Sequence, residues 1–530
     1  MTEKTKLELS WLSIILAALA FRLGLLLTCL NGVNADQAVP GLMATHILKG
    51  AFPNFIWEYQ YCGAFISYLA AINFALFGIS ALTFKLATFP LLLMTMFFTC
   101  KLAVRLHGAA AGLLTGVLLA VSPVFVTLFT IDTRGAYPET LAFGALVLYL
   151  TDVLSRDEIE NRWKARFAIL GLVSGFAFWI SPLIIPYVLT SWTVLLRRKA
   201  KCLPYRFLWL IFFCVIGSAP LVVYNIQHPL ATFLSLGSRP FGATRSDFHS
   251  GLASAGFLNM LMRYFVNYIH SIPSALMYVL SGVLAIFSAA NPLMENIKLF
   301  KYCVCAIYLA PLAFYALRTR KNGWMEIPVY LAGFSILFAL FGFMASPRYL
   351  VPLWPAAAIL LATSLARVGQ KNRLLAISML TFLLSVNLAG VLLCSEIKSP
   401  PYERLAAFLL SQNLRRGYAG YWVAYPVIFL SGEKIVVSPT LDLSSVHPKS
   451  KDVYPFYTNI VNKESNVFYV TNDNARSADI FTEKMAALRV KFRKDPLPPF
   501  MVYHSFSKRI YPEDLALPAS VSTVEEPFFY

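Results

Sequence analysis

The chain has 530 residues, of which 58% are hydrophobic and only 14% are charged, and its mean hydropathy is +0.63. So much apolar surface cannot be buried in one water-soluble core, which excludes an ordinary soluble protein. The formal net charge of +18 lies in short Lys and Arg clusters between apolar stretches. That pattern argues against a single basic face for nucleic acid.

Apolar stretches long enough to cross a bilayer recur from Trp11 to Leu393. The basic clusters between them mark cytoplasmic ends, because Lys and Arg resist translocation. Placing every cluster inside the cell predicts eleven spans, a cytoplasmic amino terminus and an extracytoplasmic tail after Ser395. The predicted spans are residues 11–30, 84–104, 109–130, 139–153, 166–180, 182–196, 206–226, 302–317, 327–343, 350–366 and 374–394.

Two further apolar runs are predicted not to cross, because counting either as a span would break the alternation of sides. Residues 64–79 are predicted to form a helix that lies at or re-enters the outer interface, and residues 272–290 a re-entrant segment. The polar and aromatic segment 227–270 is too long for a simple connection and is predicted to form a lid. Arg22, inside the first span, is expected to face the bundle or the outer interface, since a charge facing lipid is costly.

After Ser395 the pattern changes to a helical stretch at 402–412 and short β-rich runs at 434–437 and 467–470. The predicted fold is therefore a polytopic all-α transmembrane bundle over residues 1–395, with about eleven spans and outer interfacial helices. A small soluble α/β domain is predicted over residues 396–530.

Three groups of polar residues lie at the predicted outer ends of spans. They are Asp36 with Glu58, Tyr59 and Tyr61; Asp132 with Arg134, Tyr137 and Glu139; and Arg348 with Tyr349. Each group also has a purely structural interpretation. Asp36 could be a solvated loop carboxylate or helix cap, the second group an interfacial Asp–Arg pair, and Arg348 a side chain that snorkels to lipid headgroups.

In this order, these features resemble the GT-C class of membrane glycosyltransferases, in the glycosyltransferase family 39 branch of protein O-mannosyltransferases and the lipid A aminoarabinose transferase. The residues that carry the resemblance are Asp36, Gly50-x-x-Pro53, Phe77-Gly78, Asp132 to Glu139, Arg348-Tyr349, Gly417-Tyr418 to Trp422, and Phe429-Leu430-Ser431-Gly432-Glu433. The chain departs from the family in having one outer-loop acid where others pair Asp with Glu. It also has Tyr61-Cys62-Gly63 where the aminoarabinose branch has Lys-Pro-Pro.

The resemblance implies transfer of a hexosyl or pentosyl group from a polyprenyl-phosphate donor to an acceptor hydroxyl, with Asp36 as the base. Such a transfer must deprotonate the acceptor, align it and stabilise the departing phosphate, and a single displacement inverts the anomeric carbon. Arg348 is predicted to hold the phosphate, with Arg134 as the second candidate. Asp132 or Glu139 would position sugar hydroxyls or the clamp, and Asp132 is the second catalytic candidate. The other predicted substrate-binding residues are Glu58, Tyr59, Tyr61, Tyr137 and Tyr349.

The expected partners are a polyprenyl-phosphate-linked sugar, a lipid, glycan or protein acceptor, and membrane lipids, with no nucleic acid. No cofactor is expected and a divalent cation is left open, since the His residues have no ligand spacing. The expected location is a bacterial inner (plasma) membrane. The alternative is a transporter or flippase for lipid-linked sugar, but the sequence has no repeated halves, and its polar residues gather at outer loops instead of the midplane. A third possibility is a noncatalytic scaffold for the soluble tail.

Overall fold

A computed structural model describes most of the chain. The described residues are 3–28, 30, 32–57, 59–156, 162–198, 203–229, 231–232, 277, 279–288, 291–295, 297–321, 327–342, 347–394, 401–440, 452–472 and 475–515. The predicted lid lies outside them from residue 233 onward. The chain divides into two compact units, each built from several segments. The first contains Met1–Gly24, Tyr59–Ile66 and Leu86–Ser395, and the second contains Leu25–Glu58, Ser67–Lys85 and Glu396–Tyr530.

The first unit is a helical bundle. It contains the first helix, Glu3–Thr28, as far as Gly24, where the boundary between the units falls. Its other helices are Phe89–His107, Ala109–Ala120, Val124–Phe129, Tyr137–Arg156, Trp163–Ile180, Ile185–Arg198, Leu203–Gly217, Ala219–Gln227, Val279–Ser288, Pro292–Glu295, Lys298–Lys321, Ile327–Gly342, Trp354–Lys371 and Arg373–Leu393. Short 3-10 turns cover Leu86–Thr88, Pro182–Ile184 and Pro347–Leu353, and Tyr59–Gly63 is a strand. Its apolar core is richest around helix Trp354–Lys371, whose first half is almost wholly buried.

Five helices among the described residues are long and apolar enough to cross a membrane. They are Leu9–Thr28, Ala81–His107, Trp163–Ile180, Arg348–Lys371 and Arg373–Leu393. A sixth crossing is possible if Tyr205–Gly217 and Ala219–Gln227 act together, although they bend by 66°. The chain therefore has several apolar helices of membrane-spanning length, and the full set of eleven remains a prediction.

Two predicted spans are broken in the structure, and proline explains both breaks. The predicted span 206–226 bends where Pro220 opens helix Ala219–Gln227, because proline has no N–H to continue the hydrogen-bond ladder. The predicted span 109–130 stops at Ala120 and restarts after Pro123. The continuous apolar pattern gave no sign of either break.

Arg22 explains how helix Ala109–Ala120, the first half of the interrupted span 109–130, ends. Its guanidinium is fully buried and donates to the carbonyl oxygen of Leu119 at 3.0 Å and to that of Ala120. These carbonyls belong to the last turn of helix Ala109–Ala120, which has no intrahelical partners for them. Arg22 thus faces the bundle, which was one of the two expected placements. Its side chain caps the carboxyl end of helix Ala109–Ala120.

The second unit joins two early segments to the carboxyl-terminal residues. It contains helix Phe65–Phe77 from Ser67 onward, since the boundary between the units falls inside that helix. Its other helices are Ala35–Leu48, Ala81–Lys85, Tyr402–Ser411, Tyr421–Leu430, Pro455–Asn462 and Ala475–Ala487, with a 3-10 turn at Pro512–Leu515. Helix Phe65–Phe77 lies within the run 64–79 predicted to stay at the interface. Its 13 residues span about 20 Å, less than the hydrocarbon thickness.

The carboxyl-terminal residues form a mixed five-stranded sheet. Its strands, in spatial order, are Val436–Ser438, Arg416–Tyr418, Phe468–Asn472, Phe500–His504 and Arg493–Leu497. The first three run parallel, with Tyr418 opposite Ser438 and Tyr469, and the last two join antiparallel, with Tyr469 opposite Tyr503. Helices connect the parallel strands, as such crossovers require. The predicted helix 402–412 and strands 434–437 and 467–470 are therefore present, each shifted by one or two residues.

Candidate functional site

Asp36 lies in the first turn of helix Ala35–Leu48, in the second unit. The helix cap is Asn34, whose side chain accepts from the Gln37 N–H at 3.0 Å while the Gln37 side chain accepts from the Asn34 N–H at 3.2 Å. Asp36 is therefore not the cap residue. Its half-buried carboxylate accepts a hydrogen bond from the Tyr421 hydroxyl at 2.8 Å.

Lys85 secures the backbone that leads into this helix. Its ammonium is buried and donates to the carbonyl oxygen of Leu30 at 2.6 Å and to that of Gly32. Lys85 falls at the start of the predicted span 84–104, and the sequence pattern assigned it no role. Its single charge at the start of an apolar stretch was the signal that could have found it, because buried ammonium groups need hydrogen-bond acceptors.

Asp132 and Arg134 form a compact ion pair in the first unit. Arg134 Nε donates to Asp132 Oδ2 at 2.5 Å, and the Arg134 backbone N–H donates to Oδ1 at 3.1 Å. Gly135 and Ala136 follow with positive φ angles, which turn the chain sharply into helix Tyr137–Arg156. The predicted Asp–Arg pairing is thus present, and Asp132 is placed to orient Arg134.

Glu139 lies in the first turn of helix Tyr137–Arg156 and is only 1% exposed. Neither of its carboxylate oxygens has a hydrogen-bond partner among the described residues. Asp132 lies close enough to interact with it electrostatically. A buried carboxylate without partners is costly, so this side chain is suited to receive hydrogen bonds from a ligand.

Tyr137 is the point at which the second and third polar groups of the sequence meet. Arg348, Tyr349, Arg134 and Asp132 all lie close enough to act electrostatically on its buried hydroxyl. Arg348 is the second residue of the 3-10 turn Pro347–Leu353, and its guanidinium lies 5.2 Å from the centre of the Tyr349 ring.

An aromatic wall supports this group. The Tyr137 ring packs edge-on against Phe129, with ring centres 4.6 Å apart, and the Arg134 guanidinium lies 5.7 Å from the same Phe129 ring. Phe125, Leu183 and Val351 complete the apolar cluster beside Tyr137. The charged side chains are therefore held against a rigid apolar surface, where each charge is poorly screened by water.

Tyr59 and Tyr61 alternate on strand Tyr59–Gly63, so their side chains point to one face. Their half-buried rings lie 6.0 Å apart. Gly63 ends the strand in close contact with Trp179, where an added Cβ would lie 2.9 Å from a ring carbon. Glu58 lies outside the described residues. Among the residues that are described, no group of three His, Cys, Asp or Glu side chains could hold a metal ion.

Comparison with solved structures relates this chain to two membrane enzymes. No family model and no curated protein matches the sequence. ArnT from Cupriavidus metallidurans bound to undecaprenyl phosphate is 13% identical, with 92% of this chain and 97% of that chain covered and a TM-score of 0.59. The same protein in the apo state is 14% identical over 93% and 97%, with a TM-score of 0.59.

The oligosaccharyltransferase of Archaeoglobus fulgidus, in complex with Zn and sulfate, is 13% identical and has a TM-score of 0.52. The match covers 90% of this chain and 69% of that one. ArnT and this oligosaccharyltransferase are both GT-C glycosyltransferases, and each likeness extends over most of the present chain. With its apolar helices of spanning length, the chain is an integral membrane protein that has the GT-C fold.

Proposed function

We propose that this protein transfers a sugar from a polyprenyl-phosphate donor to an acceptor hydroxyl on the extracytoplasmic side of a membrane. The observation that carries the proposal is the group of charges around Tyr137, in a chain with the GT-C fold. Two guanidinium groups, those of Arg134 and Arg348, suit a sugar phosphate, because they bind phosphate oxygens through charge-assisted and potentially bidentate hydrogen bonds.

Each side chain of this group has a proposed task. Arg348 holds the departing phosphate, and Arg134, oriented by Asp132, is the second clamp. Glu139 binds sugar hydroxyls, since its buried oxygens have no hydrogen-bond partner among the described residues and a ligand hydroxyl would satisfy them. Tyr137 and Tyr349 line the phosphate end of the group.

Asp36 is the proposed base. The acceptor oxygen attacks the anomeric carbon, the bond from that carbon to the phosphate oxygen breaks, and polyprenyl phosphate leaves. The acceptor proton passes to the Asp36 carboxylate. A single displacement of this kind inverts the anomeric carbon. Tyr59 and Tyr61 are proposed to contact the sugar ring, for which their neighbouring rings on one strand face are suited, and Glu58 is kept as a substrate ligand on the sequence pattern alone.

The proposed arrangement in the membrane follows the basic clusters of the sequence. It has eleven spans within residues 1–395, a cytoplasmic amino terminus and an extracytoplasmic domain over residues 396–530, in a bacterial inner membrane. Cysteine labelling tests the orientation. A cysteine at the exposed Ser465 should react with an impermeant reagent in intact cells. Reaction only after the cytoplasmic face is opened would reverse the whole arrangement.

A membrane assay tests the reaction. Membranes containing the full chain are incubated with a panel of polyprenyl-phosphate sugars, with and without a chelator. The lipid, glycan and protein fractions are then analysed by mass spectrometry for an added sugar. The native protein should produce a glycosylated acceptor and free polyprenyl phosphate. Asp36→Asn should lower transfer by roughly 10² to 10⁴, the usual contribution of a positioned base. Asp479→Asn, at an exposed carboxylate, is the matched control.

The transporter alternative makes a different forecast in the same assay. A carrier or flippase would move the lipid-linked sugar to the other leaflet without breaking its bond to phosphate. An intact donor on the opposite side, with no glycosylated product, would therefore replace the proposed function by transport. If Asp36→Asn keeps substantial transfer, the base must be sought at Asp132 or Glu139.

A further inference from the structure

The helix that carries Asp36 is held along its whole length by the carboxyl-terminal part of the second unit. At its first turn, the Tyr421 hydroxyl donates to Asp36 Oδ1 at 2.8 Å. In its middle, Gly41 lies against the Phe429 ring. At its end, His46 Nε2 lies 2.8 Å from Glu433 Oε1. Tyr421, Phe429 and Glu433 belong to one helix, Tyr421–Leu430, and the turn that follows it.

The middle contact fixes the separation of the two helices. A Cβ added to Gly41 would lie 2.8 Å from a Phe429 ring carbon, so no other residue fits without a shift. Phe429 is itself locked, with its ring 6.2 Å from that of Phe74 and 5.9 Å from that of Phe84. Close-packed contacts of this kind transmit position because neither side can yield cheaply.

The end contact fixes the rotation of the Asp36 helix. Glu433 has a positive φ of 62° and receives hydrogen bonds from His46, from Tyr457 at 2.7 Å and from Lys49. His46 also packs edge-on against Trp57 and Tyr454, whose rings stack at 4.1 Å. His46 and Asp36 lie on one rigid helix, so anchoring the first fixes where the second points.

We infer that Tyr421 is a positioning residue for the proposed base, and that the carboxyl-terminal region is therefore part of the active site. The inference rests on the proposed function of Asp36. The Tyr421 hydroxyl donates a hydrogen bond that fixes the rotamer of the Asp36 carboxylate. The proximity that lets a base act depends on such orientation.

Tyr421→Phe tests this with little change of shape. In the full chain in membranes, kcat should fall by about 10-fold to 100-fold, as expected for one hydrogen bond to a charged group, while KM for the donor stays unchanged.

The matched control is Tyr402→Phe. Tyr402 belongs to the same unit and is buried against Phe500. Its hydroxyl makes no hydrogen bond to any residue in the described part of the chain. Loss of this hydroxyl should leave kcat and KM unchanged. A Tyr421→Phe variant with native kcat would overturn the inference.

Asp36→Asn, assayed beside these variants, separates the two ideas. If it abolishes transfer while Tyr421→Phe does nothing, the base stands and the positioning role is wrong. If Asp36→Asn keeps full activity, the proposed base is wrong. If no donor in the panel supports transfer, the hydrogen bond between Tyr421 and Asp36 can be tested by a double-mutant cycle, in which thermal unfolding measures the stability of each variant. Coupled effects of Asp36→Ala and Tyr421→Phe support it, and additive effects overturn it.

Discussion

Asp152 is fully buried in helix Tyr137–Arg156 and accepts a hydrogen bond from Arg105 Nε at 2.7 Å. Arg156 Nε donates to the other carboxylate oxygen of Asp152 at 2.7 Å, and a guanidinium nitrogen of Arg198 lies 3.7 Å from that same oxygen. One carboxylate thus joins three helices of the first unit. Because its removal would leave three neighbouring guanidinium groups without their counter-charge, Asp152→Ala should cost about 3 kcal/mol of stability.

Thermal unfolding in detergent measures this effect. The matched control is Asp479→Ala, at an exposed carboxylate, which should change stability by less than about 0.5 kcal/mol. Equal unfolding temperatures for Asp152→Ala and the native protein would show that the three arginines do not depend on Asp152.

Gly41→Ala should destabilise the second unit by about 1 to 3 kcal/mol, because the new methyl group would overlap the Phe429 ring. Gly333→Ala is the control, since an added Cβ there meets nothing within 4 Å, and it should be neutral or slightly stabilising in its helix. Combining Gly41→Ala with Phe429→Leu should recover part of the loss. Equal behaviour of the two glycine variants in a thermal melt would contradict the close contact.

The second unit should weaken at acidic pH. The His46 hydrogen bond, with those of Lys49 and Tyr457, lowers the pKa of Glu433 from its ordinary 4.5 to about 2. A lowered pKa means that the stabilisation is complete above about pH 4.5 and is lost as the pH falls towards 2. The difference in unfolding temperature between the native protein and Glu433→Gln should therefore shrink across that range. A constant difference from pH 6 to pH 2.5 would rule out this role of Glu433.

Arg348→Lys should impair donor use strongly, although the charge is kept. Lysine lacks the planar fork that binds two phosphate oxygens together, and loss of such a contact in a desolvated site costs about 10²-fold or more in rate. Steady-state kinetics with the preferred donor measure this. Near-normal rates would favour the simpler interpretation, in which Arg348 reaches lipid headgroups.

The sequence predicted the elements of this fold better than their contacts. Apolar length and turn chemistry are local properties, so helix Tyr402–Ser411 and the strands near Val436 and Phe468 were predicted within one or two residues. Proline breaks inside apolar runs were missed because lipid-facing composition continues across them. The order of the outer-loop motifs indicated the GT-C fold, which this chain shares with ArnT at 13% identity.

The candidate site was predicted as a set of residues without their partners. The outer-loop pattern indicated Asp132, Arg134 and Arg348, and the structure brings all three to Tyr137. The Asp132–Arg134 pair was among the structural interpretations of this pattern, whereas periodicity cannot show that Glu139 is buried without a described partner. Tyr421 was missed because a tyrosine in an apolar helix has the same pattern whether its hydroxyl meets solvent or an acid.

The contact between Asp36 and Tyr421 joins residues 385 positions apart in the chain. At a synthesis rate of about 5 to 20 residues per second, the helix that carries Asp36 waits about 20 to 80 s for its partner to be made. Throughout that interval Gly41 lacks the ring that covers it, and the proposed base lacks its hydrogen-bond donor. A chain cut short before residue 421 therefore cannot complete this centre, so the proposed activity should arise only after Tyr421 and the helix that begins with it have been translated.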